Sequence, residues 1–369
     1  MVDPSAVVYA SDRYTTHDHR FLASAVASGN RRVRFVRFGA TGHLLERRSL
    51  PSGVELIEID NTPSDKDLRK LLTDLLLDPR SGQPVGVIHA GPIPTVGRRC
   101  VASSPVPVIV MSWGSDLLVD ASVDQAMAAG ATKALVGAAH VLVDNAAVGR
   151  AAITLGAFPD RLSVVPWGVD LAVFRFVPTR PTPGPLRLLS LRSFEPVYDM
   201  ATVIAGVALA VEADDAPPIT LSIAGSGSLE SDLREQATVA GIDHVITWLG
   251  RVSEPDVATL LADHDVHLSA ALSDGSSISL LQAMASGRPS IVTAIESNLE
   301  WVTPGVNGWT FAPGSPVDLS RCILSAARTG SLDELGRAAR TVAEESADWE
   351  RNREHVLNLY DEIANTPRT

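Results

Sequence analysis

Cysteine is almost absent from this chain. Among 369 residues only Cys100 and Cys322 carry thiols. Two cysteines this far apart form neither a disulfide framework nor a set with metal-ligand spacing, and both read as structural thiols. Lysine is nearly as scarce. Lys66, Lys70 and Lys133 are the only three, and arginine supplies the other basic residues. That bias points to a GC-rich bacterial genome. The formal net charge of −12 argues against the broad basic footprint of a nucleic-acid partner, yet leaves room for a local cationic pocket. No stretch of about 18 apolar residues is free of charge, so no membrane-spanning helix is expected. The opening Met1-Val-Asp-Pro leads at once to an apolar run, without a basic segment and a long apolar core. No leader is expected on that ground, and the expected location is cytoplasmic.

What is present is an ordinary globular composition, 45% apolar and 20% charged. The length suits two domains of roughly 100–200 residues each, and each can bury a core. Short apolar runs alternate with helical patterns. In the first half Ala6 to Tyr9, Arg32 to Arg37, Val54 to Ile57, Val85 to His89, Val108 to Met111 and Val141 to Val143 read as strands. Arg20 to Ser28, Asp67 to Leu77 and Val123 to Val136 read as helices. Such alternation implies parallel sheets flanked by helices, an α/β class. Pro178 to Pro185 is a proline-rich linker that cannot continue a helix or a central strand. The rhythm then restarts, with strands at Leu186 to Leu189, Ile219 to Ile223, Val245 to Leu249, Val266 to Leu268 and Pro289 to Val292. Helices are expected at Thr202 to Val211, Leu229 to Ala240, Glu254 to Leu261 and Ile278 to Ala285, and a last amphipathic one at Asp348 to Ala364.

Four segments of the second half carry candidate chemistry. In Ile223-Ala-Gly-Ser-Gly-Ser-Leu229 a strand runs into Gly225 and Gly227 and then a helix, so that backbone can approach a ligand and helix N–H groups stay free for an anion. A tight turn without a ligand explains it equally well. In Leu272-Ser-Asp-Gly-Ser-Ser-Ile-Ser-Leu280, continuing Leu281-Gln-Ala-Met-Ala-Ser-Gly287, Ser276, Ser277 and Ser279 stand at a helix start. Hydroxyls, free N–H groups and the helix dipole favour a phosphate there; a plain serine N-cap is the alternative. Asp274 and Gln282 lie eight apart and can bond sugar hydroxyls from opposite sides. In Leu191-Arg-Ser-Phe-Glu-Pro-Val-Tyr198, Arg192 closes a strand, where a guanidinium can grip phosphate oxygens in bidentate fashion. In Val164-Val-Pro-Trp-Gly-Val-Asp-Leu-Ala-Val-Phe174, Asp170 and Phe174 read as structural anchors.

Three loops follow strands of the first half. One holds Thr15, Thr16, His17, Asp18, His19 and Arg20, the next begins at His89-Ala-Gly-Pro92, and the third is Ser112-Trp-Gly-Ser-Asp116. All three are expected to open onto a cleft between the domains, with Thr16, His17, His19, His89 and Trp113 touching an acceptor. Asp263-His-Asp265 has the look of a metal-binding pair but leads directly into a strand, and it reads as a structural turn.

Taken together and in order, these pieces resemble glycosyltransferase family 4 (glycosyl transferases group 1), a retaining family. The resemblance runs from Val164 to Phe311 and includes Leu249-Gly-Arg-Val252, Glu300-Trp-Val and Asn307-Gly308. It implies a GT-B fold, two Rossmann-like doubly wound domains facing across a cleft. The expected division is 1–165 for the acceptor, 166–345 for the donor, and a helix at 346–369 packing back on the first domain. The resemblance also implies metal-independent transfer from a nucleotide-sugar co-substrate, with no other cofactor. Carried over by position, Arg192 binds the diphosphate, and Gly275, Ser276, Ser277, Ile278 and Ser279 hold sugar and phosphates through their amides. Gly250 and Arg251 lie beside the base, with Gly225 and Gly227 in the donor loop. The family's paired glutamates fall on Asp274, at the sugar, and Gln282, at the ribose.

The sequence departs from that pattern at several points. Asp274 and Gln282 both replace Glu, and Glu195, Pro196 and Tyr198 stand where a lysine is usual. The histidine pair expected after the fourth strand is reduced to His89-Ala-Gly91, so Trp113 to Asp116 is expected to supply a contact instead, with Asp116 grouped with Arg192 and Asp274 as catalytic. The expected acceptor is a small polar molecule of natural-product size, O-, N- or S-linked, and the expected donor is UDP- or GDP-linked. The alternatives are a catalytically weak sugar-nucleotide-binding partner subunit and another GT-B enzyme such as a phosphorylase. A homodimer is compatible with the sequence, and no metal site is expected.

Overall fold

The computed structural model describes residues 5–29, 31–39, 48–59, 63–78, 82–179 and 184–365. Of the proline-rich linker, residues 180–183 lie outside the described residues. The chain forms two compact units, Met1–Pro166 with Glu350–Thr369, and Trp167–Trp349.

The first unit holds strands β1 (Ser5–Ser11), β2 (Arg31–Phe38), β3 (Val54–Ile59), β4 (Val87–Ala90), β5 (Val108–Met111), β6 (His140–Val143) and β7 (Leu162–Val164). They pair in parallel in the order β3-β2-β1-β4-β5-β6-β7. The second unit holds β8 (Leu186–Ser190), β9 (Ile219–Ala224), β10 (Ile246–Gly250), β11 (Val266–Ser269), β12 (Ser290–Thr293) and β13 (Gly308–Phe311). Their order is β10-β9-β8-β11-β12-β13, again parallel. Both are Rossmann-like sheets, as a GT-B protein requires.

These strands read as unbroken apolar runs because both faces are covered. Side chains alternate across a strand. In β8, Leu188 joins the core with Val203, Ile223 and Ile323, while its neighbour Leu189 joins Leu261, Leu280 and Met284 on the other side. In β1, Val8 and Ala10 pack with Leu72 and Val110, and Tyr9 stacks with Phe21 and Phe35.

Several boundaries move for local physical reasons. The first helix spans Thr16–Ala27, four residues ahead of the expected start, because Thr15 and Asp18 form a capping box. The third expected helix begins at Gln125, set by Asp124, whose side chain accepts from Ala126 N and Met127 N. β7 and β13 were not anticipated. Both are short edge strands with half-buried residues and therefore lack a strong apolar signal. β4 begins at Val87 and ends at Ala90, one residue beyond the expected end at His89, which places His89 inside the strand rather than at the start of the loop.

Candidate functional site

In the second sheet the strand order reverses between β8 and β11, which are hydrogen-bonded neighbours but not consecutive in the chain. Loops leaving such a pair diverge and open a crevice at the carboxyl ends, the general ligand position in open parallel sheets. Arg192 stands two residues past the end of β8 at Ser190 and is only 9% exposed. Its Nε donates to Ser269 Oγ at 3.1 Å, on the last residue of β11. The guanidinium lies 4.5 Å from the centre of the Tyr198 ring and pairs through Nη2 with the Asp274 carboxylate. Burial holds the Arg192 pKa below its ordinary value, with Tyr198 acting the other way. Asp274 is more exposed than its partner, 18% against 9% for the side chains.

The loop that carries Asp274 continues into the helix Ile278–Ala285. Gly275, Ser276, Ser277 and Ser279 are buried at its start and Gln282 is buried in its second turn. Ser277 is the N-cap; its Oγ accepts from Leu280 N at 3.4 Å and lies 3.2 Å from Ser279 Oγ. Arg192, Asp274 and this helix start therefore come together within one unit. Ile278 is half-buried there.

The glycines of the next loop have a structural explanation. A Cβ on Gly225 would lie 2.0 Å from the Arg192 carbonyl oxygen, and one on Gly227 within 2.7 Å of the Phe194 backbone. Both are needed so that the loop after β9 can lie flat against the Arg192 loop. Phe194 N donates to Ser226 O at 3.1 Å, and Leu229 N donates to Phe194 O at 3.0 Å. Glu195 reinforces the contact, accepting from Ser228 N at 3.1 Å and Ser228 Oγ at 2.7 Å, and these bonds hold its pKa below the usual range. Gly250 ends β10 with φ +64° and its carbonyl accepts from Gly225 N at 2.9 Å. The following Arg251 is exposed.

In the first sheet the order reverses between β1 and β4. His17, one residue into the first helix, lies against Trp113 with ring centres 5.6 Å apart and the planes tilted by 41°. Burial pulls the His17 pKa down to about 3, with Arg20 acting the same way, so its ring is neutral. Thr16 is half-buried beside it. His19 points elsewhere, its Nδ1 2.7 Å from the Tyr14 hydroxyl.

Two expectations for this unit need correction. His89 is fully buried. Its ring sits against Tyr9, Phe21 and Tyr360, and its Nδ1 is 2.6 Å from the Tyr360 hydroxyl. A side chain enclosed in that aromatic box contacts no acceptor. Asp116 is also committed internally: it accepts from Ile93 N at 2.9 Å, Ser112 Oγ at 2.6 Å and Trp113 N at 2.9 Å. Those bonds tie the loop after β4 to the loop after β5, which makes Asp116 a positioning residue for Trp113. Burial pushes its carboxyl up to about 6, against the opposing pull of these donors.

Asp265 behaves as the turn anchor expected of it, accepting from Arg187 N at 2.9 Å and binding the Arg187 guanidinium. A cavity beside this pair, lined also by Pro217 and Leu332, opens at the amino ends of β8 and β11, the opposite edge of the sheet from Arg192. Among the described residues no group of three or more His, Cys, Asp or Glu could hold a metal ion, and no helix is long and apolar enough to cross a membrane.

Against this geometry the comparisons can be read. The family model described as glycosyl transferases group 1 matches residues 187–328. That segment is similar to the glycosyl transferases group 1 family and lies within the second unit. It contains Arg192, Gly225, Gly250, Asp274 and the helix Ile278–Ala285. The glycogen synthase of Mycobacterium tuberculosis is 26% identical over 190 residues, 51% of this chain and 45% of that protein. The D-inositol 3-phosphate glycosyltransferase of Pseudarthrobacter chlorophenolicus is 28% identical over 171 residues, 43% of this chain and 40% of that protein. The matched stretch thus spans less than half of either relative. A crystal structure of Anabaena HepE in complex with UDP and glucose superposes with a TM-score of 0.77, covering 97% of this chain and 100% of that one at 18% identity. The shared architecture is GT-B.

Two outcomes test this description. Gly225→Ala should lower stability by about 1–3 kcal/mol, the usual cost of overpacking, and should also displace the Arg192 backbone. Chemical denaturation that shows no loss would mean the close approach does not exist. For Asp116, the unfolded carboxyl loses its proton near 3.8 and the folded one near 6. Its favourable contribution is therefore complete below 3.8 and is lost as pH rises through about 6. The stability advantage of wild type over Asp116→Asn should shrink by up to about 3 kcal/mol across that window; a pH-independent difference between the two proteins would contradict it.

Proposed function

We propose that the protein is a glycosyltransferase that moves a sugar from a UDP- or GDP-linked donor to a small polar acceptor, with retention at the anomeric carbon and without a metal ion. The observation that carries this is Arg192: an always-charged guanidinium, buried at the switch point of the sheet, inside the segment matched by the family model. The relatives named above as glycosyltransferase and synthase, and the UDP and glucose held by HepE, support the same chemistry.

In this proposal residues 166–345 hold the donor and 1–165 the acceptor. Arg192 and the N–H groups at the start of the helix Ile278–Ala285 meet the diphosphate charge as it develops, which is where oriented donors lower a barrier most. The bond between the anomeric carbon and the phosphate oxygen breaks, and the acceptor atom forms its bond on the same face. The acceptor proton passes to the departing phosphate oxygen, so no strong enzymic nucleophile is needed. Gln282 takes the ribose hydroxyls, and Gly250 and Arg251 lie beside the base. His17, Thr16 and Trp113 offer a neutral, partly aromatic surface for the acceptor, in keeping with an uncharged substrate of natural-product size. One observation favours a second reading, a sugar-nucleotide-binding partner subunit with little activity. Asp274, expected at the sugar, is occupied by Arg192.

Arg192→Ala should lower turnover by roughly 10²–10³-fold, the scale for removing one charge-stabilising donor, measured as nucleotide release from UDP- or GDP-sugars. Near-normal turnover would remove Arg192 from the mechanism. A thermal-shift panel of UDP, GDP, ADP, TDP and CDP, with Mg²⁺ or with chelator, tests the donor site directly. A ligand at 100 times its Kd stabilises by about 2.7 kcal/mol. One diphosphate should raise the melting temperature equally in both conditions; a shift that requires Mg²⁺ would overturn the metal-free part. Binding without turnover across acceptors would favour the partner-subunit reading.

A further inference from the structure

Building on the donor site proposed above, we infer that Asp274 is a stand-in for the donor phosphate. It makes the site discriminate a nucleoside-diphosphate sugar from the free nucleoside diphosphate that the reaction leaves behind.

Arg192 is held on two sides by groups that need not move. Ser269 Oγ takes its Nε at 3.1 Å, from the end of a central strand. The Tyr198 ring lies 4.5 Å from the guanidinium. The remaining partner is Asp274, which comes from the irregular loop between β11 and the helix Ile278–Ala285 and is the more exposed of the pair. A buried guanidinium needs an anion, and without donor Asp274 supplies it. A diphosphate that takes Nη2 as one arm of a bidentate grip must displace this carboxylate, because both are anions competing for that group. The displaced Asp274 must then find new donors, or stand unpaired beside the phosphates and be repelled by them.

The two nucleotides differ at this step. A nucleoside-diphosphate sugar brings hydroxyl donors next to its second phosphate, and these can accept the released carboxylate. A free nucleoside diphosphate brings no such donors. It also carries more negative charge on its terminal phosphate, which repels Asp274 further. The same carboxylate therefore penalises product binding and leaves donor binding nearly unaffected, favouring product release. No new bond is made to carbon or phosphorus in this exchange; one hydrogen-bonded ion pair replaces another.

The test is binding, independent of any acceptor. UDP, GDP, inorganic pyrophosphate, UDP-glucose and GDP-mannose are titrated calorimetrically into wild type, Asp274→Ala and Asp274→Asn. Removing the competing carboxylate should tighten UDP or GDP, whichever binds, and pyrophosphate by roughly tenfold to a hundredfold, the scale of one charge-assisted hydrogen bond. The sugar nucleotide should tighten far less or weaken, so that the ratio of the two affinities collapses. Ser269→Ala, which loosens Arg192 without removing the competitor, should weaken all of them. If wild type binds a diphosphate and neither Asp274 variant binds it more tightly, the inference is wrong and the donor site stands. If no diphosphate binds wild type or either variant, the donor-site proposal fails and the inference falls with it. Should Asp274→Ala not fold, as circular dichroism would show, Asp274→Asn keeps the shape and decides the question.

Discussion

A guanidinium taken out of water cannot shed its charge, so it must be surrounded by acceptors or by a π face, and the loops that supply them lose their freedom to be anything else. Arg192 imposes this on the second unit. β8 and β11 lie side by side, so the residue ending β11, Ser269, is within reach of the loop leaving β8. The turn at Tyr198 brings a ring against the guanidinium. The loop after β9 has to pass beneath the Arg192 backbone, at a separation that leaves no room for a Cβ at position 225. Glu195, which occupies the stretch where a second cation is usual in the resembling family, is bound to Ser228 and joins these two loops. A serine, an aromatic ring, a carboxylate and a glycine from three stretches of chain, the loops after β8 and β9 and the end of β11, thus meet around Arg192.

The first unit meets the same sheet topology with the opposite electrostatics. Near its reversal between β1 and β4 lie the buried acids Asp18 and Asp116, both pushed up to about 6 by burial, the neutral rings of His17 and His89, and the buried Arg20. Asp116 accepts three hydrogen bonds from the loops it joins, and Asp18 closes the capping box of the first helix. These acids organise backbone. Beside that organisation stands the half-buried His17–Trp113 pair, two uncharged rings.

How much of this the residues reveal in advance depends on whether the determining contact is local. Central parallel strands announce themselves because both faces are apolar, and the repeated strand–helix alternation follows directly. The edge strands Leu162–Val164 and Gly308–Phe311 do not, being only three and four residues long, whereas the longer edge strands Val54–Ile59 and Ile246–Gly250 are legible. Helix starts are legible where the cap is within four residues, as at Thr15 and Asp18, once the capping box is weighed against the apolar pattern that begins later. His89 shows how little separates core from site: at the last position of the expected strand it stands next to a loop, and one further strand residue, Ala90, leaves it inside the core. Arg192, Asp274 and the serines before Leu280 can be singled out because they gather donors and charge at a strand end and a helix start, where an anion can bind, although serine at a helix start is also a plain cap. Their mutual pairing cannot be read in this way, because Arg192 and Asp274 are 82 residues apart and meet only through the order of strands in the sheet.

That order also explains why the ligand chemistry should be easier to recognise for the donor than for the acceptor. A diphosphate demands concentrated positive potential, which few residue types can supply and which must sit where a parallel sheet opens. With lysine almost absent, arginine is the cation available, and its planar fork restricts where it can stand. An uncharged acceptor demands only complementary shape and a handful of hydrogen bonds, which many combinations of Thr, His and Trp can provide. The donor half is accordingly constrained at single positions, such as Gly225 and Arg192, where backbone and charge allow one solution. In the proposed function the acceptor side is constrained through its supports: Asp116 is fixed by the loops it ties together, and holds the Trp113 backbone in place.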